Sequence, residues 1–400
     1  MNKQRLFLAS CVALIATAMS FAIRGDIMGD FEQIFALNKT NLGWIAGAAF
    51  WGFGLSIYIG GPLCDVLGMG TIMRLAAAGH IGGTLLTIFA PSFPVLFAAT
   101  VVIGIANGLV EAAINPLVAT LYSTEKTAKL TALHAWFPGG IVIGGVLSFL
   151  FTQIGFGWKA KMLLMLIPSV IYTFMFVGQR FPPTERKAAG VSSGEMVGQL
   201  ARPLFVVIFV SMCLTAATEL GAGQWYANVF NEVMESTARA GILVLVWVNG
   251  IMWVMRQFFG GVSHRVSPVA LIAVTAIPAA AGLFLFSRAA SPGTAFAAAA
   301  LLAIGTAFWW PTMLGITSER FPKGGALALA IIGGTGSFAT AIAGPVMGYL
   351  NDRFGPREML AIWAILPVVI ALVFVAIYLR DRTTGGYQVE KLQSRAGVGG

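Results

Sequence analysis

Apolar residues run through this chain in blocks of about twenty or more, broken by short polar or Gly/Pro-containing stretches. A helix rises about 1.5 Å per residue, so roughly 20 apolar residues cross a hydrocarbon core. The blocks predict twelve spanning helices, near residues 6–30, 42–63, 71–90, 93–119, 132–153, 160–178, 203–228, 239–260, 268–287, 294–316, 325–348 and 359–379. The first block has the basic start, apolar run and small residues of a signal peptide. We read it as a span, because removing it leaves an odd count and spoils the internal symmetry described next. The longest polar break, 179–202, holds Pro, Gly, Ser and mixed charge, as a linker does. Residues 1–178 then form one six-helix bundle, 179–202 a cytoplasmic linker, 203–380 a second six-helix bundle, and 381–400 a disordered cytoplasmic tail.

The two halves echo one another. Gly104 corresponds to Gly305, Gly144 to Gly344, Gly155 to Gly355 and Asp65 to His264, all at an offset of about 200 residues. Spans two, five and eleven are rich in glycine, which lets membrane helices approach closely. Pro116, Pro138, Pro168, Pro278, Pro311, Pro345 and Pro367 fall inside spans and predict kinks.

Composition narrows the reading. Hydrophobic residues make up 58% of the chain and charged residues 10%, against about 25% charged in a soluble domain. Mean hydropathy is +0.83. Such a surface aggregates in water, which excludes a soluble enzyme, a nucleic-acid binder and a disordered protein. The net charge of +9 fits the Lys/Arg excess of cytoplasmic loops. Placing both termini in the cytoplasm puts Lys3, Arg5, Arg74, Lys126, Lys129, Arg180, Arg186, Lys187, Arg202, Arg256, Arg265, Arg320, Lys323, Arg380, Arg382, Lys391 and Arg395 there. The opposite side keeps about half as many, including Lys39, Lys159, Lys161, Arg239, Arg288, Arg353 and Arg357. Cys11, Cys64 and Cys213 lie in or beside apolar stretches and suggest neither a disulfide framework nor a metal cluster.

Twelve spans in two halves, with Gly61, Leu63, Asp65 and Gly68 after span two, resemble the major facilitator superfamily. The family's basic residues are missing from that loop: Val66 stands where Arg is usual, and the next basic residue is Arg74. The second-half copy keeps Gly260, Ser263 and Arg265, with His264 in place of Asp. The resemblance implies an all-α integral membrane fold and a cytoplasmic gate at Gly61, Asp65, Gly68 and Arg265, with its latch weakened. Three shorter stretches, "GDIMGDFEQIFAL", "NGLVEAAINPLVA" and "TELGAGQWYANVF", resemble the fucose–glucose/galactose–proton symporter branch. That branch implies a sugar-type substrate and a cavity lined by Asp26 and by the Glu111–Asn115–Pro116 element.

Charges at bilayer depth cost roughly 2.5–3.5 kcal/mol on insertion scales, so each asks for a reason. Glu111 lies deep in span four, with Asn107 and Asn115 one turn away on the same face. Asp26, near the outer end of span one, is the second expected protonatable group. Arg24 is a candidate for substrate or for a carboxylate on another helix; its bland alternative is an interfacial snorkel. Glu219, Gln224 and Trp225 in span seven, Asn249 in span eight and Trp309 in span ten complete the expected binding set. His80 and His134 read as structural or helix-end residues before proton relays, and Arg256 as nearer the gate.

No metalloprotease, Walker or nucleophile-elbow motif occurs, and no cofactor is expected. The first expectation is therefore a proton-coupled secondary transporter of a monosaccharide, monomeric, with sodium as the other possible ion. The alternatives are a uniporter, a proton-coupled exporter of amphipathic compounds, and a non-transporting receptor or assembly factor.

Overall fold

The computed structural model describes residues 2–122, 129, 132–182, 193–234, 241–258 and 266–390, which form helices and no strands. The N-terminal half holds α1 (Lys3–Ile34), α2 (Lys39–Leu67), α3 (Met69–Ile88), α4 (Phe93–Leu121), α5 (Trp136–Gln153) and α6 (Trp158–Leu163 with Leu166–Phe176). A short helix, Ser193–Leu200, precedes the C-terminal half. That half holds α7 (Pro203–Ala216, continued through Ala217–Gly221 and Tyr226–Val233), α8 (Ile242–Phe258), α9 (Pro268–Ser287) and α10 (Pro292–Thr306 with Trp309–Arg320). The run Gly325–Trp363 is two helices meeting at Gly355 (φ 81°, ψ 168°): α11 before it and the start of α12 after it. α12 resumes as Ile365–Thr383.

Nine helical stretches among the described residues are long and apolar enough to cross a membrane, and Ile242–Gln257 is a shorter apolar one. One of the nine, Ala330–Thr383, contains both α11 and α12, and α3 supplies a further 20-residue helix. The count matches the twelve expected spans.

The prolines explain where helices break. A proline has no N–H and clashes with the carbonyl four residues earlier. The interruptions at Leu164–Met165, Ala307–Phe308 and Ala364 sit three or four residues before Pro168, Pro311 and Pro367. Ala135 is a turn three residues before Pro138. Pro116, Pro278 and Pro345 remain inside continuous helices, their missing bonds tolerated by neighbouring packing.

Antiparallel spans in even number put the start of α1 and the end of α12 at one end of the bundle, here the terminal end. Arg5 at the start of α1 donates to the Phe174 and Met175 carbonyls at the end of α6. The halves meet along α2 with α11 and along α5 with α8. A Cβ on Gly43 or Gly47 would fall on the backbone of Gly344 or Ala341, so α2 and α11 touch backbone to backbone near the far end. There Asp352 accepts from the Lys39 and Thr40 amides at 3.0 and 2.9 Å and from Thr40 Oγ1. Lys39 Nζ bridges Glu32 (2.8 Å) and Glu232 (3.3 Å), the second across the halves. The far end is therefore closed.

The expected disordered tail is corrected for its first part. Asp381 pairs with Arg320, Tyr387 donates to Glu319 at 2.6 Å, and Glu390 pairs with Arg202. Residues 381–390 thus fold back over the ends of α10 and α7. Residues 391–400, and 183–192 of the linker, lie outside the described residues.

Candidate functional site

A cleft lies between the halves. Phe21 (α1), Phe50 (α2) and Phe137, Pro138 and Ile141 (α5) form one wall. Glu219, Gln224 and Tyr226 (α7), Asn249 and Arg256 (α8) and Thr306 (α10) form the other. Phe21 stacks on Phe50 with centroids 4.6 Å apart. The cleft runs from mid-bundle toward the terminal end, where α5 begins and α8 ends.

Local helix geometry brings the C-terminal wall together. α7 widens into a π-turn over Ala217–Gly221, then breaks before Tyr226 restarts it. A π-turn inserts one extra residue and rotates the next turn of helix, and such turns recur at functional sites. Here the irregular stretch carries Glu219, Gln224 and Tyr226 to one surface. Arg256 Nη2 reaches Glu219 at 3.3 Å, while its Nε donates to the Ala307 carbonyl exposed by the α10 break. Asn249, a cleft residue, donates Nδ2–H to the Leu245 carbonyl at 2.9 Å.

Of the expected binding residues, Glu219, Gln224 and Asn249 line the cleft. Arg24 reaches it through Gln224, donating Nη2–H to Gln224 Oε1 at 2.9 Å. The other four do not line it. Asn107 bonds His80 (2.8 Å) and Ser20 (3.0 Å), and His80 also bonds Tyr172 (3.0 Å). That network ties α1, α3, α4 and α6 together inside the N-terminal half. Asn115 is held between Glu111 (2.9 Å) and His134 (2.9 Å) at the α4–α5 contact. Trp309 turns away from the cleft, its Nε1 donating to Thr275 on α9 at 3.0 Å. Trp225 is fully buried in the core cluster.

The expected proton-coupling residues lie outside the cleft lining. The Asp26 side chain is 1% exposed, bound by Ser148 Oγ (2.7 Å) and by Lys161, whose side chain is 2% exposed. Lys161 is thus not the loop charge that the sidedness count takes it for. Its stem is buried in α6, and only spatial neighbours reveal its role. Glu111 is half-buried and bonded to Asn115. Among the gate residues, Gly61 lies inside α2, and Gly68 ends that helix with φ 80°. The Asp65 side chain, and Gly260 to Arg265, lie outside the described residues. Sequence reading missed Lys161, Phe21, Phe50 and Phe137, and placed Arg256 at the gate rather than on Glu219. Phenylalanines carry no signal for this, since apolar residues fill every span.

Among the described residues no cluster of His, Cys, Asp and Glu is suited to a metal ion.

The model of the family described as "Major Facilitator Superfamily" matches residues 6–326 and 254–398. The chain is 25% identical over 166 residues, 41% of its length, to the D-xylose transporter of Levilactobacillus brevis. That match spans only 34% of the relative's own length. Among solved structures, the D-xylose-proton symporter superposes with a TM-score of 0.79 at 15% identity, covering 94% of this chain and 97% of the other. The nucleoside transporter NupG gives 0.74 at 13% identity, covering 94% and 99%. At these identities the two structures establish the fold. The family model spans both halves and every wall of the cleft, and this chain belongs to the Major Facilitator Superfamily.

Proposed function

We propose that the chain is a secondary active transporter that moves a sugar-like polar solute by alternating access, coupled to protons, as a monomer. The observation that carries this is the cleft. It sits between two pseudo-symmetric halves, is closed at the far end, and sets amide, carboxylate and guanidinium groups opposite aromatic rings. Such walls suit a ring with hydroxyls on its edge and C–H groups on its faces. The membrane is the plasma (inner) membrane, with both termini cytoplasmic, in keeping with the Lys/Arg distribution. Similarity to a D-xylose transporter and a D-xylose-proton symporter supports the solute class and the ion.

Asp26 and Glu111 are the proposed proton-coupling groups. Asp26 is buried and bonded to Lys161 and Ser148, and Glu111 is half-buried and bonded to Asn115. The Glu111–Asn115–His134 chain joins α4 to α5, and α5 carries the cleft residues Phe137 and Pro138.

The test is uptake of labelled neutral and acidic monosaccharides by proteoliposomes under an imposed pH gradient. Accumulation that an uncoupler abolishes is expected. Glu111→Gln is expected to lose uphill uptake while keeping counterflow exchange. Uphill uptake in that variant would remove Glu111 from coupling. Equilibration without accumulation in the native protein would make it a uniporter.

A further inference from the structure

We infer that the solute carries a negative charge and that Arg24 holds it, so the cleft takes a monosaccharide bearing a carboxylate in preference to the neutral sugar. This rests on the transporter reading above.

The argument is a charge balance at the centre of the bundle. Asp26 is spent on Lys161, and Glu219 on Arg256. Glu111 is held by Asn115 on α4, about 15 Å from that helix's terminal end at 1.5 Å per residue. Arg24 is left over. It is 5% exposed and forms no ion pair among the described residues. Its neutral partner, Gln224, offers a dipole and no countercharge.

Two further observations point from Arg24 into the cleft. Its guanidinium lies 4.9 Å from the Phe21 ring centroid, and both Phe21 and Gln224 are cleft walls. Its Nε is buried and donates to nothing. Arg5 and Arg256 each give Nε to a backbone carbonyl, and Arg320, whose Nε is also unpartnered, has its charge met by Asp381; Arg24 has neither. An unpaired buried charge costs several kcal/mol, and one neutral hydroxyl would not neutralise it. A carboxylate would, because the planar guanidinium presents parallel N–H groups that fit its two oxygens. Phe21 then packs beneath the sugar ring, and Gln224 is freed to take a hydroxyl.

The experiment measures binding to the purified full-length protein with two matched pairs, D-glucuronate with D-glucose and D-galacturonate with D-galactose. At least one uronate is expected to bind about tenfold or more tightly than its neutral partner, a difference of about 1.4 kcal/mol. Arg24→Gln is expected to erase that preference, and Arg24→Lys to keep part of it. Equal or tighter binding of the neutral sugars by the native protein overturns the inference and leaves the transporter reading standing; this comparison needs no variant to fold. An unchanged acid preference in folded Arg24→Gln also overturns it. Binding of neither class, with no flux in proteoliposomes, overturns the solute reading and this inference with it.

Discussion

Lys161 and Asp26 show what a single buried pair asks of its neighbours. Desolvating two charges costs several kcal/mol each, and their attraction repays this only with good geometry and added hydrogen bonds. Asp26 has the extra bond from Ser148, though its Oδ1 has no partner. Removing one member strands the other. Lys161→Met is expected to destabilise the protein by about 3–5 kcal/mol, while the double variant Asp26→Asn, Lys161→Met recovers most of that loss. Thermal unfolding of the four proteins in detergent measures it; a double variant no better than Lys161→Met would mean that the pair does not act as a unit. Asp26 stood out through the resemblance of its stretch to the symporter branch. The sequence could not mark Lys161, six residues past a loop glycine at Gly155, because a lysine near a span end usually snorkels to water. The same limit hid the Arg256–Glu219 and Arg24–Gln224 pairs. Partner choice is long-range, whereas burial of a charge is a local property of the pattern.

At the scale of helices the pattern was far more legible, since membrane thickness fixes span length and backbone groups cannot stay unpaired in lipid. Even the breaks followed from proline positions. α7 is the exception: Ala217–Gly221 contains no proline, and a Cβ added at its Gly221 would come within 3.0 Å of Ala343. The stretch after α12 was misread for a different reason. Its composition, "TTGGYQVE", is that of a mobile tail. Yet Arg202 donates from both Nη atoms to the Glu390 carboxylate, and Arg320 stacks over Tyr387 at 4.4 Å. The Arg202 hydrogen bonds hold the Glu390 carboxyl below its ordinary value. A lowered folded-state value means that the clamp's full contribution is present above the ordinary carboxylate pKa and fades as pH falls through the depressed one. Protease cleavage within residues 384–390 is therefore expected to stay slow at neutral pH and to rise as pH falls below about 4. Glu390→Gln should raise cleavage already at neutral pH. An equal rate for native and variant protein at neutral pH would show that the ion pair does not hold the tail. The pair is half-exposed, so the effect on global stability is small.

The whole molecule repeats itself at an interval of about 200 residues, and the glycine echo is visible in the backbone. Gly155 and Gly355 both adopt left-handed φ, 82° and 81°, at equivalent turns of the two halves. Gly344 meets the Gly43 backbone, and Gly104 meets that of Ala49, where any side chain would collide. These contacts set how the halves can move: α2 and α11 lie close enough to hinge or separate as stiff rods. The far-end closure rests on Asp352, which caps the first amides of α2 from the other half. A cap of this kind is worth about 0.5–2 kcal/mol, and a helix N-terminus favours a negative charge. This cap exists only while the far end is closed, so its whole value enters the equilibrium between open and closed forms. Asp352→Ala is then expected to raise the ratio of far-end-open to far-end-closed molecules about 2- to 30-fold. Lys39, with Glu32 and Glu232, keeps some closure in place, and high salt should weaken that remainder. Spin labels at the exposed positions Ile154 and Phe354, with Cys11, Cys64 and Cys213 replaced, report the separation at that end. A longer-distance population should grow in Asp352→Ala and grow again with salt. An unchanged distance distribution would mean that the backbone contacts of α2 with α11 close the far end without the cap.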